Sequence, residues 1–88
     1  MSADIEISDD EELTELIDYL ARCLVDEPEE VQVEAIEGDR AIILELTVAP
    51  DDLGKVIGKD GRTARAMRTL LSATSARQRR RAILDILE

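Results

Sequence analysis

The 88-residue chain has no histidine, tryptophan or phenylalanine, and it holds one tyrosine, one cysteine, two prolines and four glycines. Each shortage removes a class of function. Without histidine, and with Cys23 as the sole thiol, a His-based catalytic group or a Cys/His metal site has almost nothing to be built from. A single cysteine also excludes an internal disulfide and suits a reducing compartment. With Tyr19 the lone aromatic, the core must be aliphatic, made of Leu, Ile, Val and Ala. No apolar run approaches the roughly 18 residues of a membrane span, and no basic-then-apolar leader opens the chain, so a cytoplasmic protein with no membrane contact is expected.

The length suits one domain, burying roughly 60–65% of the surface its unfolded chain exposes. The formal net charge of −10 argues by itself against a nucleic-acid partner. Its distribution argues the other way. Residues 1–50 carry sixteen acids against Arg22 and Arg40. Residues 54–81 carry Lys55, Lys59, Arg62, Arg65, Arg68, Arg77, Arg79, Arg80 and Arg81 against Asp60 alone. Because salt screens charge over about 8 Å, a local patch outweighs the total.

Residues 1–8 read as an acidic arm and residues 9–88 as the folded domain. Ser8 and Glu11 have capping-box spacing, and Leu13, Leu16, Ile17, Leu20 and Leu24 follow as one helical stripe. Asp26-Glu27-Pro28 should end that helix. Val31, Val33 and Ala35, then Ile42, Leu44, Leu46 and Val48, alternate with mostly polar residues around Glu37-Gly38-Asp39-Arg40, predicting an antiparallel hairpin with one wet face. Pro50-Asp51-Asp52 stops the second strand and offers an N-cap for a short helix, Leu53 to Ile57. A longer helix is expected from about Arg62 to Ala76. Its stripe Ala64, Met67, Leu71 and Thr74 should face the sheet. Ala66, Leu70 and Ala73 form a second stripe, either a dimer seam or the margin of a wide core face. Ala82, Leu84 and Ile86 alternate as a last strand. The order is αββααβ, an α+β fold with three helices on one three-stranded mixed sheet.

Between the two later helices lies Gly58-Lys59-Asp60-Gly61. Two glycines three apart permit a sharp turn and a close approach by another backbone. A cationic turn opening a helix is suited to holding phosphates. A dinucleotide fingerprint fails because position 56 is Val and a helix precedes the turn; a P-loop fails because only two residues separate the glycines.

A lone Gly-x-x-Gly is a weak signal, but its setting within αββααβ resembles the type II KH domain. The stretch from Val48 to Ala73, centred on Leu53-Gly54-Lys55-Val56-Ile57-Gly58-Lys59-Asp60-Gly61-Arg62, together with Leu24-Val25-Asp26, is similar to the small single-KH bacterial proteins of the KhpA family. The resemblance spans roughly residues 10–88. It implies a non-enzymatic, cytoplasmic RNA-binding protein, an RNA chaperone that uses no cofactor or metal and clamps about four single-stranded nucleotides at the loop. Gly58, Lys59, Asp60, Gly61 and Arg62 would meet the RNA backbone, with Lys55, Arg65 and Arg68 adding charge. Val56, Ile57 and the apolar edge of the hairpin would line a groove for bases. The resemblance further implies a homodimer, pairing with a larger KH protein (KhpB), and a link to cell-envelope growth and cell length. The chain departs from the family in two places. Gln78-Arg79-Arg80-Arg81 stands where a Gly-Lys turn is common, and Asp60 puts an acid in the loop. The competing expectation is a KH-fold interaction module, acting through its acidic helix or the Ala66/Leu70/Ala73 stripe, with little RNA binding of its own.

Overall fold

A computed structural model describes residues 9–88, so the Ser8 capping box and the acidic arm lie outside the described residues. Helix α1 spans Asp9–Leu24 and buries Leu13, Ile17 and Ala21 completely. Those positions step by four, so the seam continues to Val25, which packs on the core, and turns Leu24 outward to 38% exposure. The expected stripe therefore gives up Leu24 and gains Ala21, whose small side chain lets the helix sit close.

Strands β1 (Gln32–Glu37) and β2 (Ala41–Thr47) form the expected antiparallel hairpin, and β3 (Arg81–Ile86) runs parallel to β2 in the order β1-β2-β3. A parallel neighbour requires a crossover. It is supplied by α2 (Leu53–Ile57), the glycine turn and α3 (Arg62–Arg77). Ile42, Leu44, Leu46 and Leu84 face the helices and are buried. On the open face the register aligns Ile36, Ile43 and Ile83 in one row and Glu34, Glu45 and Asp85 in the next. Three carboxylates abreast repel one another and any polyanion.

Two local results depart from expectation. Asp52 does not cap α2 with its side chain. The 3-10 turn Pro50–Asp52 already engages the first amides through the Ala49 and Pro50 carbonyls, which frees the carboxylate. At 2% exposure it accepts hydrogen bonds from the Glu27 amide (3.0 Å) and the Asp26 amide (3.3 Å), and Lys55 Nζ lies 3.4 Å away. It thereby ties the connection between α1 and β1 to the start of the crossover. Burial alone would raise its pKa, but the two amides and Lys55 outweigh burial and hold it below the ordinary 3.8. A carboxylate depressed in the folded state contributes stability above its unfolded pKa and loses it as pH falls through the folded value. Melting temperature should consequently drop steeply below pH 4 in the wild type, and Asp52→Asn should start lower at neutral pH and show a shallower acid limb. Parallel acid limbs for the two proteins would remove Asp52 from this role.

The second departure is at the end of α3. Its buried line is Ala64, Met67, Leu71 and Ser75, with Thr74 only half-buried. The helix closes in a Schellman arrangement: the Arg80 amide donates to the Ser75 carbonyl (3.1 Å) and the Arg79 amide to Ala76 (3.2 Å). That geometry puts Arg79 at φ 58, where an L side chain costs about 1 kcal/mol or more relative to glycine. The Gln78-Arg79-Arg80-Arg81 segment thus makes a glycine-type turn without glycine. Around it, Arg77 and Gln78 reach Glu12 on α1 (3.1 and 3.2 Å), and Arg80 reaches Glu37 (2.8 Å).

Candidate nucleic-acid interface

The loop begins where α2 runs out. The Gly58 amide donates to the Gly54 carbonyl (2.8 Å) and the Gly61 amide to Gly58 (3.1 Å). Left-handed backbone then runs through Asp60 (φ 58, ψ 24) and Gly61 (φ 73, ψ 13), after Gly58 at φ 77 and ψ 170. The two glycines are needed for different reasons. A Cβ on Gly58 would lie 2.6 Å from Thr63 Cβ and 2.8 Å from the Thr63 amide nitrogen, inside the first turn of α3. A Cβ on Gly61 would meet nothing within 4 Å, so there only the backbone angle demands glycine. Gly58 closes the loop onto the helix, whereas Gly61 leaves open space on its outer side.

Among the described residues no side chain caps α3; the Gly58 and Lys59 carbonyls take the Gly61 and Arg62 amides, and the positive end of the 16-residue helix lies directly behind the loop. Lys59, Asp60 and Arg62 are exposed, as is Arg65 one turn further on. Among the described residues, Lys59, Arg62 and Arg65 take part in no ion pair. Three cations outside those ion pairs therefore accompany the one acid of the loop, Asp60.

Beside the loop runs an open groove of about 470 Å³, walled by Ile57, Gly61, Ala64 and Arg65 on one side and Ile86 and Glu88 on the other, with Arg68 between. Several sequence expectations change here. Val56 is fully buried in the core and lines no groove; in a five-residue helix one of two adjacent apolar residues turns inward, and Ile57 is the one left at the surface. The hairpin supplies no wall, because β1 lies on the far edge of the sheet and β3 is the strand beside α3. Lys55 is held by Asp26 (3.1 Å) and Asp52, which keep its ammonium protonated above its usual range. Arg68 bends onto β3, its Nη2 and Nε donating to the Leu84 carbonyl at 3.2 and 3.4 Å. Ile86 and Glu88 were not among the expected residues. The right-handed crossover rule, which lays α3 against a parallel third strand, was the available signal for Ile86. Tyr19 is on α1, 67% exposed, and lines no part of the groove.

The second stripe of α3 is exposed, with Leu70 at 49%. Ala66 and Ala73 are exposed beside it, so the wide-core expectation gives way.

Residues 14–86 match the family model described as KhpA/KhpB, KH domain. The RNA-binding protein KhpA of Clostridium acetobutylicum is 47% identical over 75 residues, covering 85% of this chain and all of that protein. That of Caldanaerobacter subterraneus subsp. tengcongensis is 49% identical over 73 residues, 83% of this chain and 97% of that one. That of Borreliella burgdorferi is 50% identical over 74 residues, 84% of this chain and 90% of its own.

Proposed function

The chain belongs to the KhpA/KhpB KH-domain family, a non-enzymatic family, and on that premise we propose that it binds single-stranded RNA at the Gly58–Gly61 loop. The observation that carries the proposal is the loop itself: an open-sided left-handed turn at the N-terminal end of α3, bearing Lys59, Arg62 and Arg65, which take part in no ion pair among the described residues. Phosphates sit against the loop and the helix end, and bases lie along the groove between Ile57 and Ile86. Since no aromatic lines the groove, the stacking that contributes roughly 1–3 kcal/mol per base elsewhere is missing. Binding by one domain is therefore weak and shallow in sequence preference.

Contact with three or four phosphates gives log affinity against log salt a slope of about −2 to −3, at roughly −0.7 per phosphate for single strands. A fluorescence titration over a salt series measures this. A salt-independent affinity would instead favour a protein-interaction module.

Weak single-domain binding makes a second domain useful, because linked sites raise the effective concentration on one strand. We place self-association at Ala66, Leu70 and Ala73, where the exposed leucine between two small residues supports it. Leu70→Glu should convert a dimer to a monomer in sedimentation velocity; an unchanged sedimentation coefficient would exclude this seam. Action as a cytoplasmic RNA chaperone, pairing with a larger KH protein (KhpB), and a role in cell-envelope growth and cell length belong to the same proposal. They rest on the family resemblance, and the lone exposed Cys23 agrees with a reducing compartment.

A further inference from the structure

The groove beside the loop does not end at Arg68. On the other side of that guanidinium, between the second half of α3 and the start of β3, lies another open cavity of about 450 Å³. Arg68, Ser72, Arg80, Arg81, Ala82 and Leu84 contribute to its lining, and among the described residues no carboxylate does. Both cavities share Arg68, which is pinned to the Leu84 carbonyl and so stands as a fixed cation at their junction. Resting on the reading of the loop as an RNA clamp, we infer that this cleft is a second phosphate subsite, which holds the same RNA strand after it leaves the groove at the loop.

Geometry and charge agree. From Ile86 to Arg81 the strand advances about 16 Å at roughly 3.3 Å per residue, room for about two further phosphates. The C-terminal end of α3 points a partial negative charge, about half a unit, toward this region. It is outweighed by Arg79 and Arg81, which take part in no ion pair among the described residues. Arg80 is already committed to Glu37, yet its guanidinium keeps further donors, since the five N–H groups exceed what one carboxylate oxygen uses. The open sheet face offers a strand no alternative route, because Glu34, Glu45 and Asp85 line up across it. An RNA leaving the loop is therefore guided along the α3–β3 cleft.

The test compares a five-nucleotide and a nine-nucleotide RNA of mixed sequence, each titrated over a salt series. Salt slope is the readout, because extra binding registers on a longer strand raise affinity without changing the slope. For the wild type, the nine-mer slope should be steeper than the five-mer slope by about 1.4, two phosphates at roughly 0.7 each. The double variant Arg80→Ser/Arg81→Ser should abolish that difference and leave the five-mer affinity unchanged, which also shows that the variant is folded. Arg81→Glu alone, which breaks no ion pair among the described residues, should act in the same direction. Equal slopes for the two lengths in the wild type would overturn the second subsite while leaving the loop clamp standing. A double variant that keeps the length difference, or that loses five-mer binding equally, would overturn it as well. If the wild type bound neither RNA, the clamp itself would fall and the subsite with it.

Discussion

Lys59→Asp is expected to reduce RNA affinity below detection at physiological salt while leaving the melting temperature within about 2 °C of wild type, as for other exposed substitutions. Lys59 is at the apex of the turn, exposed and outside every ion pair among the described residues. Its replacement should disturb no packing. The change reverses one charge and sets a new carboxylate directly beside that of Asp60, where the RNA backbone must approach. One favourable phosphate contact is lost and a repulsive one is created. With no aromatic stacking in reserve, nothing else at the site compensates. Lys59→Ala is the intermediate case and should weaken binding with a salt slope shallower by about 0.7. If Lys59→Asp bound RNA as the wild type does, the loop assignment would be wrong.

The two loop glycines should fail in different ways when replaced by alanine. At Gly58 the new methyl group runs into Thr63, including its backbone nitrogen, which cannot move without unwinding the first turn of α3. The positive φ of 77 adds to that clash. We expect Gly58→Ala to cost about 2–4 kcal/mol of stability and to lower RNA affinity more than tenfold, since the helix end and the loop both shift. At Gly61 the methyl group meets open space, and only the backbone angle is strained, for about 1–2 kcal/mol. Gly61 also forms part of the groove wall, so Gly61→Val should weaken RNA binding by narrowing the approach while the domain stays folded. Denaturant unfolding and RNA titration on the same preparations separate the two cases. Equal stability losses at the two positions would contradict the difference in packing.

The sequence reveals the elements more readily than their pairings. Period-two alternation at Ile42, Leu44 and Leu46, and the glycines bracketing Lys59 and Asp60, each have a direct physical signature, and both features are in the fold as expected. What was hidden depends on contacts distant in the chain. Lys55 counts as positive charge in the sequence, but its partners Asp26 and Asp52 come together only when the end of α1 meets the start of the crossover. Val56 and Ile57 are equivalent by composition, and one turn of helix is too short for a period to say which is buried. The groove wall at Ile86 follows from sheet order, which sets β3 rather than the hairpin's apolar edge beside α3. Arg79 shows the opposite difficulty: a left-handed helix end is read from glycine, and here an arginine occupies it.

The charge asymmetry also acquires a spatial meaning. The acids of residues 1–50 include those on α1 and on the open sheet face, whereas Lys59, Arg62, Arg65, Arg79 and Arg81, in no ion pair among the described residues, stand at the loop and at the two ends of α3. A polyanion is therefore expected to meet its attractive border along α3 on a molecule whose net charge repels it, which favours orientation over raw affinity.

The most direct measurement is amide chemical-shift mapping of the isotope-labelled protein during titration with a short single-stranded RNA at low salt. Gly58 through Arg65 and Ile86 are expected to shift together and saturate, while Glu34, Glu45 and the amides around Tyr19 stay in place. Shifts concentrated on α1 or on the open face of the sheet, with the loop unmoved, would contradict RNA binding at the loop.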